Sequence, residues 1–168
     1  VAPPRLLGLP PALDARTRLL VLGSFPGAAS LQAGQYYAHP QNQLWRLLGA
    51  ALGDPGLPAL PYPERLAALQ ARGVGLWDVY AACAREGSLD QDIRAAELND
   101  LAGLGARCPD LRVVAHNGGE SWRHRRYTAA LAPVVLRLPS SSPAAAAWSF
   151  ARKLEAWSAA VAQAGLGG

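Results

Sequence analysis

Four short apolar runs, each closed by a turn-forming residue or a change of pattern, constrain this chain more than any other feature. They are Arg18–Leu22 before Gly23, Val74–Tyr80, Leu111–His116 before Asn117-Gly118-Gly119, and Pro133–Leu138 before Pro139. Runs of this length, β-branched or Leu-rich and bounded by Gly, Pro or Asn, read as strands covered on both faces. Segments of helical period lie between them. Asn42–Leu52 puts Leu44, Leu47, Leu48 and Leu52 on one stripe, and Pro63–Ala71 repeats the habit with Leu66 and Leu69. Ala95–Ala106 and Glu120–Leu131 follow, and Pro143–Ala164 closes the chain with proline at a helix start, where its missing N–H costs least. Strands that alternate with helices need crossovers. The expected fold is therefore α/β: a single three-layer domain whose central four-stranded, mainly parallel sheet is flanked by helices. The 168 residues suit one domain, with 1–16 a Pro-rich N-terminal segment and 55–63 a loop.

In such sheets the functional edge lies beyond the carboxyl ends of the strands. Three of the four ends carry distinctive loops: Gly23-Ser24-Phe25-Pro26-Gly27, Asn117-Gly118-Gly119 and Pro139-Ser140-Ser141-Ser142-Pro143. They should converge on one crevice. The first loop lacks the spacing of a Walker loop, of GxGxxG and of the GxSxG elbow. It serves either as a tight strand-to-helix turn or as a set of backbone amides that grip an acceptor. The serines cap the following helix, bind an anion, or do both. Arg123-His124-Arg125-Arg126 reads as a solvated helix face or as a nucleic-acid backbone contact.

Composition removes several alternatives. Charged residues are only 17% of the chain against 51% hydrophobic, so extended disorder is not expected. The formal charge of +4 permits a polyanionic partner without demanding one. Cys83 and Cys108 form no CxxC pair, and His39, His116 and His124 share no ligand spacing, so no metal site is expected. His39 reads as a hydrogen-bonding residue, and Trp45, Trp77, Trp122, Trp148 and Trp157 read as core. No apolar run reaches the roughly 20 residues of a membrane span, and Val1–Leu9 has no secretory h-region. A cytoplasmic protein with reduced cysteines is expected, its N-terminus trimmed or alternatively started because position 1 is not Met.

The stretch from Gly23 to Gly49 is more specific than its parts. It reads Gly-Ser-Phe-Pro-Gly, then Ser30-Leu31, then Tyr36-Tyr37-Ala38-His39-Pro40-Gln41-Asn42-Gln43-Leu44-Trp45. This resembles the uracil-DNA glycosylase superfamily and, within it, the family 6 hypoxanthine-DNA glycosylases, with their GSFPG…SL and YYAHPxNxFW. The mismatch-specific uracil glycosylases share AHPxNxFW but carry a GINPG turn. Further matches come in order: Gly75-Leu76-Trp77-Asp78-Val79, Arg85-Glu86-Gly87-Ser88-Leu89-Asp90, Asn117-Gly118 and Leu138-Pro139-Ser140-Ser141-Ser142-Pro143. The resemblance runs from about Leu19 to Phe150.

The resemblance implies a uracil-DNA glycosylase-like fold and an enzyme that flips a deaminated base out of double-stranded DNA. Hypoxanthine is the expected base, with uracil a further candidate. Hydrolysis of its N-glycosidic bond would leave an abasic site, with no metal or cofactor, and a monomer is expected. GSFPG has no carboxylate or amide to handle water, so the resemblance gives that role to Asn42. An amide has no usable basicity near neutrality; it orients a water through its carbonyl oxygen, and bond cleavage must be largely dissociative. The base-binding residues are expected to be Gly23, Ser24, Phe25, Tyr37 and Asn117, and the phosphate-binding residues Ser140, Ser141 and Ser142. Phe25, Tyr36 and Tyr37 compete as the ring that stacks on the base, or pack beneath the pocket. The superfamily often drives a large apolar residue into the gap left by the base, but here Ala144–Ala147 follow the serine loop and leave the wedge unassigned. Two other readings stay open: a mismatch-specific uracil glycosylase, and a DNA-binding module on the same fold without catalysis.

Overall fold

The computed structural model describes residues 4–167. Its strands are β1 (Arg5–Leu7), β2 (Leu19–Gly23), β3 (Val74–Asp78), β4 (Tyr80–Ala84), β5 (Arg94–Leu98), β6 (Val113–Asn117) and β7 (Val134–Leu138). The helices are α1 (Ala28–Ala33), α2 (Leu44–Ala51), α3 (Tyr62–Ala71), α4 (Leu104–Arg107), α5 (Gly119–Trp122) and α6 (Phe150–Gln163). Four strands form the expected parallel sheet in the order β3-β2-β6-β7. Its register sets Gly23 beside Asp78 and Asn117 beside Leu138, so the carboxyl ends of the strands finish on one edge.

The strands are apolar throughout because both faces are covered. Leu19 and Val21 point into one cluster with Leu44, Leu47 and Leu48 of α2, Leu69 of α3 and Trp157 of α6. Leu20 and Leu22, one residue out of phase, point into a second cluster with Val79, Leu104, Cys108 and Leu111. Each such leucine is fully buried, a stabilisation of about 1.5–3 kcal/mol per side chain.

The differences from the expected elements each trace to a particular hydrogen-bond partner. Val74–Tyr80 is not one strand. Val79 donates to the Gly23 carbonyl and Tyr80 to that of Ser24, and there the chain leaves the parallel sheet for a small antiparallel one, ordered β1-β4-β5. Ala95–Ala106 was expected to be helical, and its alanines favour a helix. It instead pairs Arg94–Leu98 with β4 through two register shifts, with Ala95 at φ 50°, and keeps one helical turn at α4. A short isolated helix is marginal, and strand pairing supplies backbone partners at once. Glu120–Leu131 reduces to α5 and a 3-10 turn, because Ser121 and Thr128 turn inward to His116. Ser121 Oγ donates to the Leu22 carbonyl at 2.7 Å and therefore accepts from His116 Nδ1. Burial lowers the His116 pKa to about 4, so the ring is neutral, with Nε2 2.8 Å from Thr128 Oγ1. The last helix starts at Phe150 rather than Pro143, since Ser149 caps it by accepting from Arg152 N–H at 3.2 Å. Of the tryptophans, Trp45, Trp77 and Trp157 are core, whereas Trp122 is half-buried and Trp148 is exposed beneath Arg152.

Candidate active site

The three distinctive loops do meet. With the 36–42 and 88–91 segments they line a cleft of about 490 Å³ at the carboxyl edge of the parallel sheet. One wall is the turn after β2. Phe25 is buried there, facing both the cleft and the second core cluster, with the Arg85 guanidinium 5.3 Å from its ring. Arg85, itself buried, donates to the carbonyls of Pro26 and Gly87 and so ties this turn to the 85–90 loop. The same two segments are joined again where Ser24 Oγ donates to Asp90 Oδ1 at 2.7 Å and Ala28 N–H to Ser88 Oγ at 2.9 Å. Gly23 cannot be larger: a Cβ there would stand 2.5 Å from Asp78 Oδ1 and 2.9 Å from Tyr37 Oη.

The two tyrosines part company. Tyr36 sits in the core cluster and donates to the Pro10 carbonyl at 2.7 Å. Tyr37 turns its hydroxyl to the cleft, and Asn117 Nδ2 donates to it at 3.3 Å. Tyr37 holds φ 54°, a conformation rare for a bulky residue and costing roughly 1–2 kcal/mol. Its surroundings fix it there, since Trp45 Nε1 donates to its carbonyl and Ser30 Oγ accepts from the next N–H. Burial raises both phenols well above the ordinary tyrosine range, so both stay neutral.

Asn42 lines the cleft just before α2, half-buried. Its Oδ1 accepts from Leu44 N–H at 3.0 Å, which fixes the side chain and leaves the oxygen a second lone pair. His39 stands beside it, exposed, its Nδ1 accepting from Gln41 N–H. Asn117 is held at both ends of its amide. Nδ2 donates to Ser141 Oγ and Oδ1 accepts from Ser141 N–H, each at 2.9 Å. Reading a base with that amide would require it to share or release Ser141.

The serine loop is tied down from three sides. Ser141 is buried on Asn117, and its carbonyl accepts from Gln43 N–H at 3.0 Å. Ser140 Oγ accepts from Ser142 N–H and Ser142 Oγ from Ala144 N–H, so both hydroxyls keep a proton to donate. From below, Lys153 donates to Gln43 Oε1 at 2.9 Å, with the Ser142 carbonyl 3.5 Å away. This lysine is buried on α6, and desolvation lowers its pKa. The Arg123–Arg126 cluster does not line the cleft. Arg123 pairs with Glu120, while Arg125 and Arg126 lie over Trp122 and Tyr127 beside a separate, shallow groove.

Two acidic residues in the cleft were not singled out from the sequence as site residues. Asp90 is on the rim, hydrogen-bonded to Ser24; burial of its carboxyl raises its pKa. Asp78 ends β3 and is buried, and its Oδ2 has no hydrogen-bond partner among the described residues. Desolvation, reinforced by Asp90 and opposed by Arg85, raises its pKa to about 7. The signal lay in Val74–Tyr80: one carboxylate in an apolar strand, at the end the topology sends to the functional edge. Among the described residues no three His, Cys, Asp or Glu side chains gather as metal ligands, and no helix is long and apolar enough to cross a membrane.

An α/β sheet with a cleft of this build at its carboxyl edge defines a class that comparison makes explicit. Residues 10–161 match the Uracil DNA glycosylase superfamily, and the chain belongs to it. It is 41% identical over 137 residues to a hypoxanthine DNA glycosylase of Methanosarcina barkeri, covering 82% of this chain and 86% of that one. It is 39% identical over 152 residues to a hypoxanthine DNA glycosylase of Methanosarcina acetivorans, covering 90% and 95%. The solution NMR structure of a candidate uracil DNA glycosylase from Methanosarcina acetivorans superimposes with a TM-score of 0.84 at 38% identity, covering 93% of this chain and 96% of that one.

Proposed function

We propose that this chain is a monofunctional DNA glycosylase that removes a deaminated base, hypoxanthine foremost, from duplex DNA and leaves an abasic site. The observation that carries the proposal is the cleft itself. Residues of the GSFPG, AHPxN, Asn-Gly and serine motifs line one cleft at the sheet edge, in a chain about 40% identical to two hypoxanthine DNA glycosylases. A base inside a duplex is out of reach, so it must be flipped into such a space.

In this reading the flipped base enters between the Gly23–Phe25 turn, Tyr37 and Asn117. Asn42 positions the water that attacks the sugar, using the lone pair that Leu44 N–H leaves free. Asn42 cannot take a proton from that water, so the glycosidic bond breaks before water adds, and the electron pair leaves with the base. Donors aimed at that developing charge supply the stabilisation. Ser140 and Ser142 donate to a backbone phosphate of the flipped nucleotide, while Ser141 holds the loop on Asn117. The gap left in the duplex is filled from the rim. Leu89 is 47% exposed beside the cleft, between Ser88 and Asp90, which are both anchored to the first turn and α1. We assign it as the wedge in place of the alanines that follow Pro143. The acting unit in this scheme is a monomer on double-stranded DNA.

The proposal is tested with duplex oligonucleotides carrying inosine, uracil, xanthine or no lesion, cleaved with alkali after incubation. Scission at inosine supports it. Scission only at uracil would place the chain among uracil-specific enzymes, and binding without scission at any lesion would leave a non-catalytic module.

A further inference from the structure

Asp78 has no part in the scheme above, yet the cleft is built around it. It is the register partner of Gly23 in the parallel ladder, lines the cleft, and has the bare Cα of Gly23 against Oδ1. A buried carboxylate normally draws a salt bridge or several hydrogen bonds. Here Oδ2 has neither among the described residues; Arg85, the side chain within Coulombic reach that would favour its charge, gives Nε to the Gly87 carbonyl and Nη2 to that of Pro26, and its remaining buried Nη1 makes no hydrogen bond to Asp78. The adjoining peptide is secured, since Asn99 Nδ2 donates to the Asp78 carbonyl at 2.8 Å. The carboxyl is thus placed firmly and left unpaired in a site shaped for a ligand.

We propose that Asp78 is a base-binding residue that works as a neutral carboxylic acid, donating its O–H to an acceptor on the flipped base. The inference rests on the glycosylase reading and follows from the charge that develops there. When the bond breaks heterolytically, the base departs with the electron pair and becomes anionic. An ionised carboxylate in the same low-dielectric pocket would repel it, whereas a carboxylic acid donates to it. A neutral acid also offers its carbonyl oxygen as an acceptor, which suits the O6/N1–H edge of hypoxanthine. Every charged or titratable neighbour bears on that proton. Asp90 across the cleft favours keeping it, Arg85 opposes, and the neutral phenols of Tyr36 and Tyr37 add no charge. A bound base excludes water from the carboxyl and favours the acid further.

The test is the pH profile of single-turnover excision from an inosine duplex, with duplex affinity and thermal melting followed in parallel. The unsubstituted protein is expected to lose activity as pH rises above about 7, where Asp78 ionises. Asp78→Asn keeps a donor and an acceptor and cannot ionise; it should stay within about tenfold of the unsubstituted rate at pH 6 and lose the alkaline fall. Asp78→Leu, of similar bulk without polar atoms, should lose excision at every pH and keep its fold. Asp90→Asn should shift the fall to lower pH without removing it. A folded Asp78→Asn that keeps the alkaline fall, or that is inactive throughout, would overturn the proposal alone. Absence of excision by the unsubstituted protein at any pH would overturn the glycosylase reading and this proposal with it.

Discussion

In the proposed scheme the wedge is Leu89 and not the run Ala144–Ala147. Alanine presents one methyl group and cannot fill the space of an extruded base. Leu89 is large enough, and it stands exposed at the cleft between neighbours whose side chains are already bonded. Inserting it offsets an unstacking cost of a few kcal/mol that exists only while the lesion is paired. Leu89→Ala should therefore slow excision of inosine in duplex DNA by about tenfold, the effect of roughly 1.4 kcal/mol, and leave excision from a single strand unchanged. Equal loss on both substrates would remove Leu89 from that role.

At the scale of elements, the loop after β7 is a strut. Asn117 clamps Ser141 through both its amide atoms, Gln43 N–H holds the Ser141 carbonyl, and Lys153 fastens Gln43 from α6. Strand β6, the segment before α2, the serine loop and α6 thus meet in one network. Asn117→Ala leaves the buried Ser141 N–H unpaired, which costs about 1–3 kcal/mol. It should lower urea stability by that amount and loosen the grip on phosphate, seen as weaker affinity for undamaged duplex. Unchanged stability would show the clamp to be incidental. These elements also separate what was legible in the sequence from what was not. The four parallel strands could be read because burial on both faces leaves an unbroken apolar run, and their ends fell within two residues of those expected. The antiparallel sheet could not, because β5 is exposed at every residue and its Arg-Ala-Ala-Glu-Leu sequence carries helical propensity. Only pairing with β4, distant enough to be invisible locally, makes it a strand. The site divides the same way. The motif loops were readable by resemblance, but the clamp that occupies Asn117 and the unpaired carboxyl of Asp78 arise from register between strands.

For the molecule as a whole, six separated stretches of chain meet at one edge of the parallel sheet, and the charge of the chain is arranged sparingly around them. The formal excess is +4, the arginines of 123–126 are occupied by Glu120 and aromatic rings, and α6 contributes one buried lysine beneath the serine loop. Recognition in this account comes from the shape of the cleft and from hydrogen bonds, with modest help from long-range charge. The proposed chemistry depends on a fixed amide, that of Asn42, positioning water. The direct measurement is single-turnover excision from an inosine-containing duplex by the unsubstituted protein and by Asn42→Ala, with affinity for the same duplex determined for both. Release of hypoxanthine is expected from the former, and from the latter a rate lower by ~10²-fold or more at unchanged affinity. Near-equal rates for the two proteins would contradict that role of Asn42.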